Sequence, residues 1–253
     1  MQAALLTIGD ELLAGDTENT NATWIAAELT SRGVTTKRVL VIPDDIELIA
    51  RKVCEYSAEF DVVIVTGGLG GTHDDVTMDA VARAFDRELA VDELARADVA
   101  ETLDAVRERL PDLDIDVEAH ASIPAGGRAL INEDGLAPGC VVENVYVLPG
   151  IPREMEPMFE SVAEDFAGTA RSREVYTTTP EGQYTAMLMD ARDRFPVSVG
   201  SYPSRGENGR RNRIKLVGED EARLTEAAEW IEARVDPYEG DDTSEDVERN
   251  ETD

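Results

Sequence analysis

The chain has 253 residues, of which 54 are acidic and 24 are lysine or arginine, for a formal net charge of -30. A hydrophobic fraction of 42% still allows a sizeable core, which excludes wholesale disorder, and the length fits one large domain or two modest ones. So negative a surface repels phosphate backbones, which excludes nucleic acid and anionic membranes as general partners but leaves room for a small ligand in a local site.

No run approaches the roughly 18 apolar residues of a membrane span, and the start, MQAALLTIGDELL, has no charged region ahead of its apolar stretch. The expected location is therefore cytoplasmic. Only Lys37, Lys52 and Lys215 are lysines, and together with the acid excess this suggests a salt-adapted, halophilic surface. In molar salt the screening length falls to about 3 Å, so crowded carboxylates are tolerated. Any single Asp or Glu thus reads first as a solvated charge. Cys54 and Cys140 are too few for a disulfide framework and read as packing residues, and His73 and His120 cannot build a histidine zinc site.

Residues 2–8 are an apolar run closed by Gly9 and two carboxylates, which predicts a buried strand. From Asn19 onward Ala22, Ile25, Ala26 and Leu29 recur at helical spacing, and Gly33 stands where a C-terminal cap belongs. The β-branched stretch 34–42 predicts a second strand, after which Asp44 and Asp45 can cap a helix that buries Ile46, Ile49, Ala50 and Val53. Residues 60–65, FDVVIV, read as a strand buried on both faces, followed by a glycine-rich turn and a helix from Asp75. Strands alternating with helices predict an α/β fold with a parallel-type sheet. Helical periodicity over 92–109 runs through Leu94, Ala97, Leu103, Ala105 and Val106 and stops at Pro111. Residues 121–150 mix glycine, proline and short β-rich pieces, notably 141–148, before Ile151 opens a helix with Glu154, Met158, Phe159 and Val162. Past Gly168 a small α+β unit is expected, with strands 174–179, 197–201 and 213–217 and helices 182–194 and 221–235. The domains are thus 1–168 and 169–235, with 236–253 expected to be a disordered acidic tail.

Residues 66–77, TGGLGGTHDDVT, hold four glycines in five positions directly after the buried strand. Glycine permits positive φ and close approach of backbone amides to a ligand, and a following helix N-terminus favours an anion, so the segment predicts a phosphate cradle. It lacks the Lys-Ser/Thr of a P-loop and the spacing of GxGxxG; a plain strand-to-helix turn capped by Thr72 or Asp74 is the simpler reading of the spacing alone. Asp74 and Asp75 would point about 100° apart on a helix, so one is expected to cap while the other, Asp75 in the first instance, offers oxygen to Mg²⁺, which takes one or two carboxylates plus phosphates and water. Two further loops follow strands: 9–21, GDELLAGDTENTN, with Asp10 and Glu11 at a strand's carboxyl end, and 148–155, LPGIPREM, where prolines stiffen a turn and Glu154 can face the crevice. Asp44 and Asp45, at another strand end, are caps in the first instance or further contributors.

Taken in order, GDELLAGDTENTNA, TGGLGGTHDDVT, APG at 137–139 and LPGIPREM resemble the motif series of the CinA family (competence/damage-inducible protein A). The resemblance covers about residues 2–167 and implies the molybdopterin-binding, MoaB/MogA-like fold: a three-layer α/β arrangement with helices on both faces of the sheet. The unit that follows, with GSYPS at 200–204, is similar to the family's small middle domain and to part of FAD synthases carrying this domain. The C-terminal deamidase domain of full-length bacterial members has no counterpart here. Where the family commonly has GGLGPT, this chain has Gly71 in place of the proline.

The resemblance implies a divalent-metal-dependent pyrophosphatase acting on ADP-ribose or a related dinucleotide such as FAD, in a fold that often assembles into homo-oligomers. Carried over by position, Thr66, Gly67, Gly68, Gly70, Gly71 and Thr72 would bind phosphate. Asp75 would be linked to the metal, with Asp74 and Asp45 as catalytic partners, and Asp10, Glu11, Pro149, Gly150 and Glu154 would line the same crevice. The alternatives are a molybdopterin-binding protein of molybdenum cofactor assembly and a non-catalytic nucleotide-binding module. The ligand in each case is a phosphate-bearing nucleotide or pterin.

Overall fold

The computed structural model describes residues 1–206 and 209–238, and it divides into two compact units that meet at Thr169 and Ala170. In chain order the first unit holds β1 (Gln2–Ile8), α1 (Asp10–Ala14), α2 (Thr20–Ser31), β2 (Thr35–Ile42), α3 (Ile46–Glu59), β3 (Val62–Thr66), α4 (Thr77–Ala84), β4 (Leu89–Val91), α5 (Glu93–Arg107), α6 (Val117–His120), β5 (Ser122–Pro124), β6 (Arg128–Leu130), β7 (Gly139–Val142), β8 (Val145–Leu148) and α7 (Pro152–Glu160). Six strands form one sheet in the order β2-β1-β3-β8-β7-β6. β2, β1, β3 and β8 run parallel, while β7 is antiparallel to both β8 and β6.

The period-2 geometry of a strand sends alternate side chains of β1 into two different cores. Ala4, Leu6 and Ile8 join Val63 and Val65 of β3 under α3 and α4, with Ile49, Val53, Ala80 and Val81 facing them. Ala3 and Leu5 join Val62 and Ile64 on the other face, covered by α2 through Ile25 and Leu29 and by α7 through Met155, Met158 and Phe159. The result is the three-layer α/β fold. The continuous apolar run of β3 is the consequence of burial on both sides.

Several expectations need correction. Residues 141–148, expected as β-rich without a stated pairing, lie in two strands of a hairpin: Val142 pairs with Val145 and Glu143 turns the chain at φ 53°. Asn144 ties that turn down by donating from Nδ2 to the carbonyls of Ser57 and Phe60 at 3.0 and 2.9 Å. In α5 the buried stripe is Ala95, Val99 and Leu103, and Leu94 is exposed. Cys140 is buried, with its thiol pushed up to about 12 by desolvation, but Cys54 is exposed and packs nothing away.

The second unit contains β9 (Arg171–Thr177), α8 (Glu181–Arg194), β10 (Ser198–Tyr202), a short ribbon of β11 (Arg205–Gly206) and β12 (Gly209–Arg210), β13 (Asn212–Gly218) and α9 (Glu221–Glu232). Its sheet is antiparallel in the order β10-β13-β9, with Val175, Ile214 and Leu216 packed under Tyr184, Ala227 and Ile231. Of the tail expected over 236–253, residues 236–238 lie along β9, where Pro237 bridges Thr177; the rest lies outside the described residues.

Asp45 is the N-cap of α3, its Oδ1 accepting from Leu48 N at 2.8 Å. Asp45→Ala should therefore lower the unfolding free energy by about 0.5–2 kcal/mol in urea titrations. A loss of ligand binding with unchanged stability would instead return Asp45 to the site.

Candidate functional site

β1 lies between β2 and β3, and the chain leaves β1 toward the face of α2 but leaves β3 toward the face of α4. The two exits diverge and open a crevice at the carboxyl ends of the parallel strands, where open α/β sheets bind ligands. It has a volume of about 320 Å³ and receives Ile8 from β1, Asp44 from the loop after β2, Thr66 from β3 and Gly150 from the loop after β8.

Positive φ fixes the start of the glycine loop: Gly67 at 97° and Gly68 at 66°. A side chain on Gly67 would run into the carbonyl of Ile8, and the Cα of Gly67 in turn limits Gly150, whose Cβ would lie 3.3 Å from it. Thr77 then sews the loop to α4, donating from Oγ1 to Gly67 O at 2.8 Å and from N to Gly68 O at 3.1 Å. The N–H of Gly67 is spent on Leu148 O at 3.2 Å, whereas that of Gly68 has no partner among the described residues. Of the two, only Gly68 can therefore offer its amide to an anion.

The second wall is the N-terminus of α2. Asn19 caps it by accepting from Ala22 N at 3.2 Å and donates from Nδ2 to Thr7 Oγ1 at 3.0 Å. Asn21 reaches across to the loop after β8, its Nδ2 donating to Gly150 O at 2.7 Å, while its Oδ1 is buried without a partner. Thr17, Glu18, Asn19, Thr20 and Asn21 all line the crevice, and the backbone N–H of Asn21 has no partner among the described residues. The loop 9–21 is expected at the site, but none of these five is among the expected ligand-binding residues. The signal was available in Asn19-Thr20-Asn21 directly before an amphipathic run, since a capped helix start at a strand's carboxyl end favours anions.

The crevice brings together Glu11, Thr66, Gly67, Gly68, Asp74, Asp75 and Gly150 of the expected residues. Seven others do not line it. Gly70, Gly71 and Thr72 are three of these; the Thr72 hydroxyl lies 2.5 Å from Asp74 Oδ1 and 2.6 Å from Asp75 Oδ2 and can give its one proton to either. Pro149 is absent from the lining, and the N–H of Asp10 donates to Asp44 Oδ2 at 3.0 Å. Asp45 caps α3, and its neighbour Asp44 takes the place in the crevice. Glu154 is buried in a separate cavity beside α7. The expected division between Asp74 and Asp75 is also absent: α4 begins at Thr77 after Val76, so both aspartates sit on a turn closed by Asp75 N donating to Thr72 O, and both face the crevice.

Residues 4–168 match the family described as a probable molybdopterin binding domain, and residues 169–239 match the middle domain of FAD synthase. A protein of Archaeoglobus fulgidus is 37% identical over 92% of this chain and 97% of its own length, and one of Thermococcus kodakarensis is 36% identical over the same shares. The crystal structure of a protein CinA of unknown function from Thermoplasma acidophilum superposes with a TM-score of 0.58 at 33% identity, covering 65% of this chain and 97% of that one. The chain is a CinA-type member of the molybdopterin-binding-domain family. Among the described residues, no helix is long and apolar enough to cross a membrane.

As a CinA-type site the crevice has a marked electrostatic bias. Glu11, Glu18, Asp44, Asp74 and Asp75 line it and, among the described residues, no lysine, arginine or histidine does. Burial raises the pKa of Asp44 above its ordinary 3.8, and the charges of Asp10, Glu11 and Asp74 raise it further against the hydrogen bond from Asp10 N. The Thr72 hydroxyl lowers the pKa of Asp74. Among the described residues no three His, Cys, Asp or Glu side chains are placed to enclose a metal ion by themselves. The donor set fits a cation that shares its coordination with a phosphate ligand, because one or two carboxylates and the orphaned Asn21 Oδ1 suffice for that.

A raised carboxyl pKa means that the folded state holds its proton more tightly, so stability falls as pH rises from the ordinary value through the folded one, and the full cost is present at neutral pH. In divalent-free buffer at pH 7, Asp44→Asn should melt at or above the midpoint of the natural chain, and it should gain less from added Mg²⁺. A lower midpoint with an unchanged response to Mg²⁺ would show that ionised Asp44 is already compensated.

Proposed function

We propose that the chain is a divalent-cation-dependent hydrolase that cleaves the pyrophosphate of a nucleotide such as ADP-ribose or FAD. The observation that carries this reading is the mismatch inside the crevice: unpartnered amides of Gly68 and Asn21 and a helix N-terminus suited to an anion, surrounded only by acidic charge. A pyrophosphate entering alone would be repelled, so it has to arrive with cations. The match of the second unit to an FAD synthase middle domain agrees with a dinucleotide ligand.

A bound divalent cation would neutralise the phosphate oxygens and the charge that develops on them. The chain's own residues do the rest. Gly68 and Asn21 amides hold non-bridging oxygens, and Asn21 keeps the loop after β8 in place through Gly150. Asp75, oriented by the N–H of Thr72 at 2.9 Å, positions the attacking water and takes its proton. Water adds to one phosphorus as the P–O–P bridge breaks, and the bridging oxygen leaves on the other phosphate, giving AMP and ribose 5-phosphate from ADP-ribose.

In concentrated KCl, ADP-ribose or FAD should release AMP only when Mg²⁺ or another divalent cation is present. Asp75→Asn should reduce turnover by about 10²–10⁴-fold, the usual contribution of a positioned general base, with little change in melting temperature. No AMP from a folded sample at any metal concentration would exclude the hydrolase and favour a binding protein; pterin fluorescence in the purified protein would then identify the molybdopterin-type ligand.

A further inference from the structure

The first turn of α7 contributes to two cavities. Ile151 and Pro152 line the crevice, while Glu154, two residues on, lines a second cavity of about 370 Å³ with Asn132, Arg128 and Met158. Glu154 and Asn132 are 7% and 2% exposed, and both have a polar atom that the fold leaves available. Asn132 is held by its backbone N–H to the Asp98 carboxylate and by Nδ2, which donates to Ala137 O at 2.8 Å and to Glu154 Oε2 at 2.9 Å. Its Oδ1 is buried with no partner. Among the described residues, the second oxygen of Glu154, Oε1, meets only the long ion pair to Arg153 at 3.8 Å. Gly135 lies so close over the carboxylate that a side chain there would collide with it.

Leaving a buried acceptor unpaired costs about 1–3 kcal/mol, a penalty removed when a ligand supplies the donor. Here the buried unpaired acceptor is Asn132 Oδ1, and beside it Oε1 of the hydrogen-bonded Glu154 is a further acceptor held only by the long ion pair to Arg153 among the described residues, so the two together can take a pair of donors. The volume is far larger than an ion requires and falls in the range of small-molecule sites. The crevice, with Ile8, Leu12 and Ile151, offers apolar surface for a base, whereas the second cavity adds Glu133 and Asp134 to its acceptors. Adjacent hydroxyls on a sugar are a matched donor pair for such a site, as a carboxylate on a ribose diol commonly is.

We propose that the Asn132–Glu154 cavity is a second ligand subsite that takes a vicinal diol, the base-free sugar end of a nucleotide whose phosphates occupy the crevice. This subsite rests on the phosphate-site reading above, and its role is to favour diphosphates carrying a second sugar over those without one.

The test uses the full chain, in KCl with Mg²⁺, and two probes of equal charge that cannot be cleaved: methylene-bridged ADP-ribose and methylene-bridged ADP esterified with methanol in place of the second ribose. Calorimetry should give at least about tenfold tighter binding of the sugar-bearing probe, in line with hydrogen bonds to a charged group. Glu154→Gln and Asn132→Ala should each remove most of that preference while the methyl ester binds as before, which also shows that the variants fold. Equal binding of the two probes by the natural chain would overturn the sugar subsite and leave the phosphate site standing. No binding of either probe would overturn both.

Discussion

The site is built on a close approach of three strand ends. Gly67 lies against the carbonyl of Ile8 on one side and against Gly150 on the other, so the loops after β1, β3 and β8 meet with no side chain between them. Thr77 and Asn21 then tie down two of the partners in that contact through the carbonyls of Gly67 and Gly150. A larger residue at Gly67 would demand both a backbone shift and a φ that other residues rarely adopt. With these loops set, the amides of Gly68 and Asn21 are oriented by the scaffold, which is how an anion site can exist without a basic side chain.

The surrounding charge gives that geometry its functional meaning. Acid at the surface of a chain with net charge -30 needs no special account, but five carboxylates around one crevice do. Burial raises the pKa of Asp44 first, and the charges of Asp10, Glu11 and Asp74 add to it. On the proposed function, a crevice of this charge would disfavour a bare phosphate and favour a phosphate with its cation, so that ligand and metal would enter as one unit. The neighbouring cavity likewise presents acceptors, the unpartnered Asn132 Oδ1 and the carboxylate of Glu154.

Much of the architecture was legible because burial on two faces leaves a strong imprint. The runs of β1 and β3 and the helical spacing of α2 and α3 identify the parallel sheet and its order of helices. The β7–β8 hairpin escaped because its turn, Glu143 and Asn144, contains neither glycine nor proline, and α1 escaped because five residues are too few to show a period. At the site, residue type and loop were readable but orientation was not. Asp44 and Asp45 are chemically alike, and which one caps α3 is decided by where the helix starts. The same holds for Gly67 and Gly68, since only the sheet pairing shows which amide is spent. Glu154 lies in a loop motif with site character, yet its burial against Asn132 and Gly135 depends on contacts from residues more than twenty positions away in part, which no local spacing reveals.

The most direct test of the crevice as a cation-dependent anion site is calorimetric titration of pyrophosphate into the metal-free protein in concentrated KCl, with and without Mg²⁺. Binding that is absent in chelator and appears in proportion to added Mg²⁺ is the predicted result. Equal binding in the presence of chelator would contradict it, because an anion would then be accepted by the acidic crevice with no divalent cation to offset its charge.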